Sequence, residues 1–382
     1  MMRSFASFAS FLWLVLTCFV LVSDFSYAED GVFDHKILIG QIAGFTGPSK
    51  EPVRELARGA QIYIDSVNQL GGVNGRLIDI VARDDRFDPL VAREQARILL
   101  TRERVFAFFL PRATPNTEAI LSEARLAGVP IVGPSTGAAF FFEHPDPVLF
   151  MVRAKYKNEI AKLMQYFRTL GLKRFALINV NDTFGQDTAA GFLEVTQDFS
   201  ESSKRVFTVD RLKPDIKKAT GEIARFAPQA VIVACPEATA RGAILDLSKS
   251  ADIAQIAVLS NNANRSFAES LGPAGRGVVM TQVMPSPIRP TSKIGRELAA
   301  AAKSVGETPS YAMMEGYASA KVLVEGLRRA GAMPTRASFL AGLESLGTFD
   351  LGGIEVRYGR SRREGSNYVE LSVIGPNGEF VK

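Results

Sequence analysis

Cysteine, histidine and tryptophan are nearly absent from this chain of 382 residues, which has two Cys, two His and one Trp. Cys18 lies in an N-terminal segment read below as cleaved, so Cys235 stands alone and no intrachain disulfide is possible. Cys235 ends an apolar run from Ala230, which predicts a buried inert thiol rather than a nucleophile. His35 and His144 have no partners at metal-ligand spacing, and neither has the context of a catalytic base. No metal and no cofactor are expected. Enzyme signatures are missing too. The run after the first strand, Gly40-Gln-Ile-Ala-Gly44-Phe-Thr-Gly47, has the wrong spacing for a dinucleotide fingerprint, and there is no G-x-S-x-G elbow and no P-loop. The chain is read as a non-enzyme.

An excess of one charge is also lacking. Lys and Arg number 45 against 40 Asp and Glu, a net charge of +5, and the signs are interspersed. The densest basic cluster, Arg357, Arg360, Arg362 and Arg363, lies between two strand-like runs and reads as a solvated hairpin loop. No nucleic-acid partner is expected. Low-complexity tracts and Gly/Ser linkers do not occur. Apart from the N-terminus, no segment is apolar over a membrane-spanning length. At the N-terminus, Arg3 precedes the apolar run Phe11–Val22, and Ser26-Tyr-Ala28 forms a small-x-small site. Residues 1–28 therefore read as a secretory signal cleaved after Ala28. The alternative is lipid attachment at Cys18, which Thr17 before it disfavours.

What is present is 47% apolar content, ample for one large or two medium cores, and an alternation of strands with helices. The stretch from Val105 to Ala139 shows the unit. Val105–Leu110 is an apolar, aromatic-rich strand. Thr114 before Pro115 predicts a helix start, with Thr114 as the cap and the helix running to Ala127, and Gly128 stops it. Val129–Val132 is the next strand, and Gly133–Ala138 is its loop. Two parallel strands would thus end in small-residue loops that gather N–H groups and hydroxyls at one rim, where an open α/β sheet binds an anion. Equally, Thr114 and Ser135 could be ordinary cap and turn residues.

The same rhythm predicts strands at Lys36–Ala43, Leu77–Ala82, Arg174–Val180, Arg205–Val209, Ala230–Cys235, Gln255–Leu259 and Gly277–Val283. Helices are predicted over about 51–70, 157–170, 292–305, 309–330 and 335–346. Leu149–Val152 reads as a connecting strand. Ile354–Tyr358 and Tyr368–Ile374 are expected to finish the chain as an antiparallel pair. About nine strands before residue 285 are many for one sheet, and the pattern divides near Lys155. The reading is α/β, with two doubly wound lobes whose strand-end loops face a cleft.

Several runs, in order, resemble the leucine/isoleucine/valine-binding-protein family, the periplasmic solute-binding components of branched-chain-amino-acid-type ABC importers. They are Gly44-Phe-Thr-Gly-Pro48, Gly71-Gly-Val-Asn-Gly-Arg76, Arg83-Asp-Asp-Arg-Phe-Asp-Pro89, Gly128-Val-Pro-Ile-Val-Gly-Pro-Ser135 and Asn181-Asp-Thr-Phe-Gly185. The resemblance covers nearly all of the chain after residue 28. It implies a type I periplasmic-binding-protein fold of two Rossmann-like lobes, joined by three crossovers near Lys155, Met284 and Gly359. The implied lobes are 29–154 with 284–360, and 155–283 with 361–382, the C-terminal helices returning to the first lobe. The implied partners are a small-molecule ligand and the permease and ATPase of an ABC importer, with the protein a monomer in the periplasm. A ligand sensor signalling to a membrane receptor on the same fold is the alternative.

By the same resemblance, Thr114 matches the hydroxyl that binds a ligand carboxylate, joined by Ser135, Thr136 and Gly137. Phe184 stands where a Tyr packs on the ligand. Thr46, in the loop after the first strand, is a further candidate. The family's amino-acid binders use an acid near the Ser260–Asn262 loop to hold the α-ammonium. This chain has Asn261 there, unless Glu237 or Glu315 substitutes, and Pro236 where a Tyr is common. Arg86 and Ala113 occupy the places of a disulfide found in the best-known members. The expected ligand therefore bears a carboxylate: an amino acid, an aromatic or aliphatic acid, or an amide. Arg112 could pair with its anion or form a salt bridge at the lobe edge. Glu315 could reach the cleft or be a solvated helix residue. Asp84 and Asp85 read as a structural turn.

Overall fold

A computed structural model describes residues 29–381. The segment read as a signal, with Cys18, lies outside them. Among the described residues no helix is long and apolar enough to cross a membrane.

The first sheet is wholly parallel, in the order β2-β1-β3-β4-β5. Its strands are β1 (Lys36–Ala43), β2 (Leu77–Asp84), β3 (Ala107–Phe109), β4 (Ile131–Val132) and β5 (Leu149–Phe150). The last seven residues of β1 are all buried, as a strand covered by helices on both faces requires. Helices α1 (Lys50–Gln69), α2 (Pro89–Ile98) and α3 (Thr114–Ala127) follow β1, β2 and β3.

The second sheet carries β14 (Glu370–Ile374) and β15 (Phe380–Val381) at one edge, in the order β15-β14-β10-β9-β8-β6-β7. Strands β6 (Phe175–Val180), β7 (Lys204–Val209), β8 (Ala230–Ala234), β9 (Gln255–Val258) and β10 (Val279–Gln282) form its parallel body. Helices α4 (Tyr156–Thr169), α5 (Thr183–Val195), α6 (Ile216–Phe226) and α7 (Glu237–Leu247) cover it. In both sheets the strand order reverses once, beside β1 in the first and beside β6 in the second, which creates the switch points where α/β folds bind ligands.

The chain then returns. Helices α8 (Lys293–Ser304), α9 (Tyr311–Ala330) and α10 (Arg336–Glu344) pack on the first sheet's side. Helix α9 lies so close to α1 that glycine is required at both crossings. A Cβ on Gly59 would stand 1.9 Å from the Met313 carbonyl oxygen, and one on Gly316 would stand 1.9 Å from that of Leu56.

Three readings of the sequence need correction. Ile354–Tyr358 and Tyr368–Ile374 do not pair. Strand β12 (Glu355–Gly359) pairs with β11 (Thr348–Asp350) and β13 (Arg362–Glu364) in a small separate sheet. Strand β14 (Glu370–Ile374) instead lies antiparallel to β10, with β15 (Phe380–Val381) beyond it. Gly359 consequently ends a hairpin strand, and the chain joins the seven-stranded sheet only at Glu370. Second, Arg363 is not solvated. It is buried, pairs with Glu344 at 2.6 Å and lies 4.5 Å from the centre of the Phe150 ring. Third, Leu149–Phe150 is a full member of the first sheet, as its edge strand.

Candidate functional site

The end of β3 is shaped by backbone conformation. Leu110 and Ala113 both have positive φ, +58° and +72°, without being glycine. Between them Arg112 forms a parallel bridge with Ser135, and the Ser135 N–H donates to the Pro111 carbonyl at 2.7 Å. The β3–β4 pairing is thereby continued into the loops, and Arg112 is carried on a stiff support. Helix α3 starts at Thr114 itself, with Ala113 as its unassisted cap residue. Thr114 is thus not the cap predicted from its sequence. Its hydroxyl lies 2.8 Å from that of Thr136 instead, and both are buried.

Arg112 is buried, and among the described residues it forms no ion pair. Its Nη1 donates to Ser135 Oγ at 3.1 Å, and its Nη2 donates to the Asn261 carbonyl at 2.6 Å. Burial pulls the guanidinium below its ordinary pKa, opposed by the nearby Glu315 and Tyr156. A buried cation without a paired carboxylate is costly. Arg112 opens onto the cavity between the two sheets.

The opposite wall comes from the second sheet. Phe184, in the first turn of α5, meets Tyr156 edge to face at 4.9 Å, and both rings line the cavity. Asp182 caps α5 by accepting from the Gly185 N–H, so Phe184 is fixed at the mouth of its strand. Glu237 opens α7. Its Oε2 accepts from Asn264 Nδ2 at 3.1 Å, and burial raises its pKa. Arg211 pairs with Asp182 and lies 4.3 Å from the centre of the Phe87 ring.

The two halves touch at several points. Arg112 reaches Asn261, and Arg211 Nη2 donates to the Phe87 carbonyl at 3.2 Å. Thr183 Oγ1 donates to Glu118 Oε2 at 2.5 Å, and the Ala139 N–H donates to Asp187 Oδ1 at 2.6 Å. These contacts hold the two halves together along the cleft.

Behind the cavity lies a buried polar network. Arg153, 1% exposed, donates from Nη2 to Glu159 Oε1 and to Ser260 Oγ, each at 2.6 Å. Glu159 also accepts from the Ser260 N–H at 2.9 Å, from the Ser260 hydroxyl and from the Thr281 hydroxyl. Glu315 approaches Arg153 Nη1 at 3.7 Å and is buried, not solvated.

Of the residues singled out in the sequence, Arg112, Thr114, Ser135, Phe184, Glu237 and Asn261 line one cavity. Glu315 lines an adjoining recess that shares Arg112 and Asn261 with it. Thr136 and Gly137 stand behind the wall. Gly137 accepts from the Tyr156 N–H, and a Cβ there would lie 2.7 Å from the Ala154 oxygen. Thr46 falls outside the cavity: it is exposed, and its hydroxyl is bonded to Asp84. Its role as a wall residue is set aside. Asp85 is the structural turn expected, accepting from the Phe87 N–H and from Asn116 Nδ2 at 2.8 Å each. Cys235 is a free, buried thiol whose pKa burial raises. Sequence reasoning missed Phe87, Tyr156 and Arg211 in the wall and Arg153 behind it. Only Arg153 carried a signal, as a single charge directly after the apolar run Leu149–Val152.

Two lobes with facing strand ends and a polar-aromatic cavity between them define a two-lobed α/β binding protein. The profile of the family described as Periplasmic binding protein matches residues 36–376, and the chain belongs to that family. A possible leucine/isoleucine/valine-binding protein from Rhodopirellula baltica SH 1 superposes with a TM-score of 0.84 at 22% identity, covering 94% of this chain and 98% of that one. A substrate-binding periplasmic protein from Ralstonia solanacearum gives 0.80 at 29% identity, over 90% and 99%. Among curated proteins, the Leu/Ile/Val-binding protein homolog 7 of Brucella abortus (strain 2308) is 34% identical over 94 residues, which is 25% of this chain. That match spans about a quarter of the relative's length, 23%. The family consists of substrate-binding proteins, and the fold is the type I periplasmic-binding-protein fold.

Proposed function

We propose that the protein is the periplasmic substrate-binding component of an ABC importer, which captures a small carboxylate-bearing solute between its lobes by hinge closure. One observation carries the ligand's charge: Arg112 is a buried cation on the cavity wall with no carboxylate partner. Guanidinium binds carboxylate with two parallel hydrogen bonds, and that pairing offsets the cost of burying both. Thr114 and Ser135 supply hydroxyls beside it, and Phe184 and Tyr156 supply apolar faces. A few placed polar groups among aromatic faces are the usual composition of a small-molecule site.

Membership of the family supports delivery to a permease and ATPase in the inner membrane. No second reading has an observation of its own in its favour. A thermal-shift panel of carboxylic acids, each beside its primary amide, tests the ligand class, because a solute bound only by the folded state raises the melting temperature. Acids should stabilise the protein and their amides should not. Scattering should show compaction when a stabilising acid is added, and an unchanged radius of gyration at saturation would remove hinge closure.

A further inference from the structure

Away from the cavity, the two lobes also meet along one face of α5. Thr183 and Asp187 are four positions apart on that helix, so both side chains leave it on the side toward the first lobe. Thr183 Oγ1 donates to Glu118 Oε2, on α3, at 2.5 Å. Asp187 Oδ1 accepts from the Ala139 N–H, in the loop after β4, at 2.6 Å. Each bond runs between lobes, and each has a carboxylate as its acceptor, one from either lobe.

Among the described residues neither carboxylate forms an ion pair, because the cations nearby are engaged elsewhere. Arg125 pairs with Asp146, Arg211 with Asp182 and Lys157 with Glu194. Lys155, which faces Asp187, holds its Nζ 5.3 Å from the centre of the Phe142 ring. His144 shares a surface recess with Glu118. The remaining charges on the seam are acids, Glu143 toward Asp187 and Asp182 toward Glu118. The second oxygen of Asp187, Oδ2, is buried without a partner. Burial pushes the Asp187 carboxyl up to about 6, and burial raises that of Glu118 against the pull of its Thr183 bond.

Separating the lobes takes Ala139 from Asp187 and Thr183 from Glu118, and it returns both carboxylates to water. A carboxylate loses more than a neutral acid when it is buried without a cation. The joined lobes therefore hold protons at a pH where the separated lobes have released them. Joining then takes up protons, and acid favours it.

We propose that this α5 seam is a proton-operated latch, in which Asp187 and Glu118 take up protons as the lobes join, so that the protein closes more readily and holds its solute more tightly in mildly acid surroundings. This rests on the hinge closure proposed above and adds what regulates it.

Double electron–electron resonance tests the latch without a ligand. Nitroxides are attached at Leu126→Cys in the first lobe and Leu212→Cys in the second, both exposed positions, while Cys235 is buried. The ratio of short to long distances should rise by about tenfold or more from pH 7 to pH 4.5, as a carboxyl moved from an ordinary 3.8 to about 6 requires. Asp187→Asn is neutral at every pH, so its ratio at pH 7 should already match that of the wild type at pH 4.5. Glu118→Gln keeps an acceptor for Thr183 and should shift the ratio the same way by a smaller factor, so the proposal does not depend on one variant folding. His144→Gln should leave the response intact. A ratio that stays constant from pH 7 to pH 4.5, a response that survives both Asp187→Asn and Glu118→Gln, or one that His144→Gln abolishes would overturn the latch. Saturating pentanoate, phenylacetate and L-leucine are then added in turn at pH 7. A shift to short distances with any of them, without a response to pH, would remove the latch and leave hinge closure standing. One fixed distance under every condition would remove both.

Discussion

Arg112 Nη2 donates a 2.6 Å hydrogen bond to the backbone carbonyl of Asn261, a residue 149 positions away on the opposite lobe. The same guanidinium holds Ser135 on its own lobe through Nη1. One side chain therefore lines the cavity and joins its two walls.

The Thr114 hydroxyl supports this arrangement from the side. It lies 2.8 Å from the hydroxyl of Thr136, and both groups are buried. Thr114→Ala removes one partner of the Thr136 hydroxyl, which keeps the Ala138 N–H at 3.4 Å, and takes a hydroxyl off the cavity wall. Ligand affinity should fall by roughly 1–3 kcal/mol, the cost of leaving a buried polar or charged group unpaired. Calorimetry showing unchanged affinity would remove Thr114 from the site.

Glu159 is the centre of the hinge network. Replacing it with Gln leaves the Arg153 guanidinium buried without its close carboxylate, since Glu315 is 3.7 Å away. Breaking a buried ion pair from one side destabilises by about 3–5 kcal/mol. Urea unfolding of Glu159→Gln should show a loss of that order. A loss below about 1 kcal/mol, the level of an exposed pair, would mean that the network adds little to the fold.

Two buried aspartates set a pH dependence. Burial pushes both Asp85 and Asp187 up to about 6 from an ordinary 3.8. Between these values the folded chain keeps protons that the unfolded chain has released. Their contribution to stability is therefore complete below about pH 4 and is lost as the pH rises through 6. Asp187→Asn should flatten this decline in urea midpoints measured from pH 4 to 7. A variant whose slope matches the wild type would show that Asp187 does not titrate in that window.

Local signals made much of the fold legible. Gly128 adopts the left-handed conformation that ends α3, as its place after Ala127 implied, and the apolar run in β1 is buried as read. The rim of Thr114 and Ser135 was visible because hydroxyls and small residues cluster at strand ends. What stayed hidden depends on distant partners. Glu159 looks like any helical glutamate, yet its acceptor role rests on Ser260 and Thr281, 101 and 122 residues away. Strand β14 finds β10 across a similar gap, which is why its proximity to β12 misled. Positive φ at Leu110 and Ala113 left no trace because neither is Gly or Asn.

Arg112 is the group proposed to bind the ligand's carboxylate. Isothermal titration of the wild type and of Arg112→Gln, using the most stabilising acid of the panel and its primary amide, tests it directly. The acid alone should bind, and the variant should bind it more weakly by about 1.5–3 kcal/mol, the range for a hydrogen bond to a charged group. Equal affinity for acid and amide, or a variant that binds the acid as the wild type does, would contradict it.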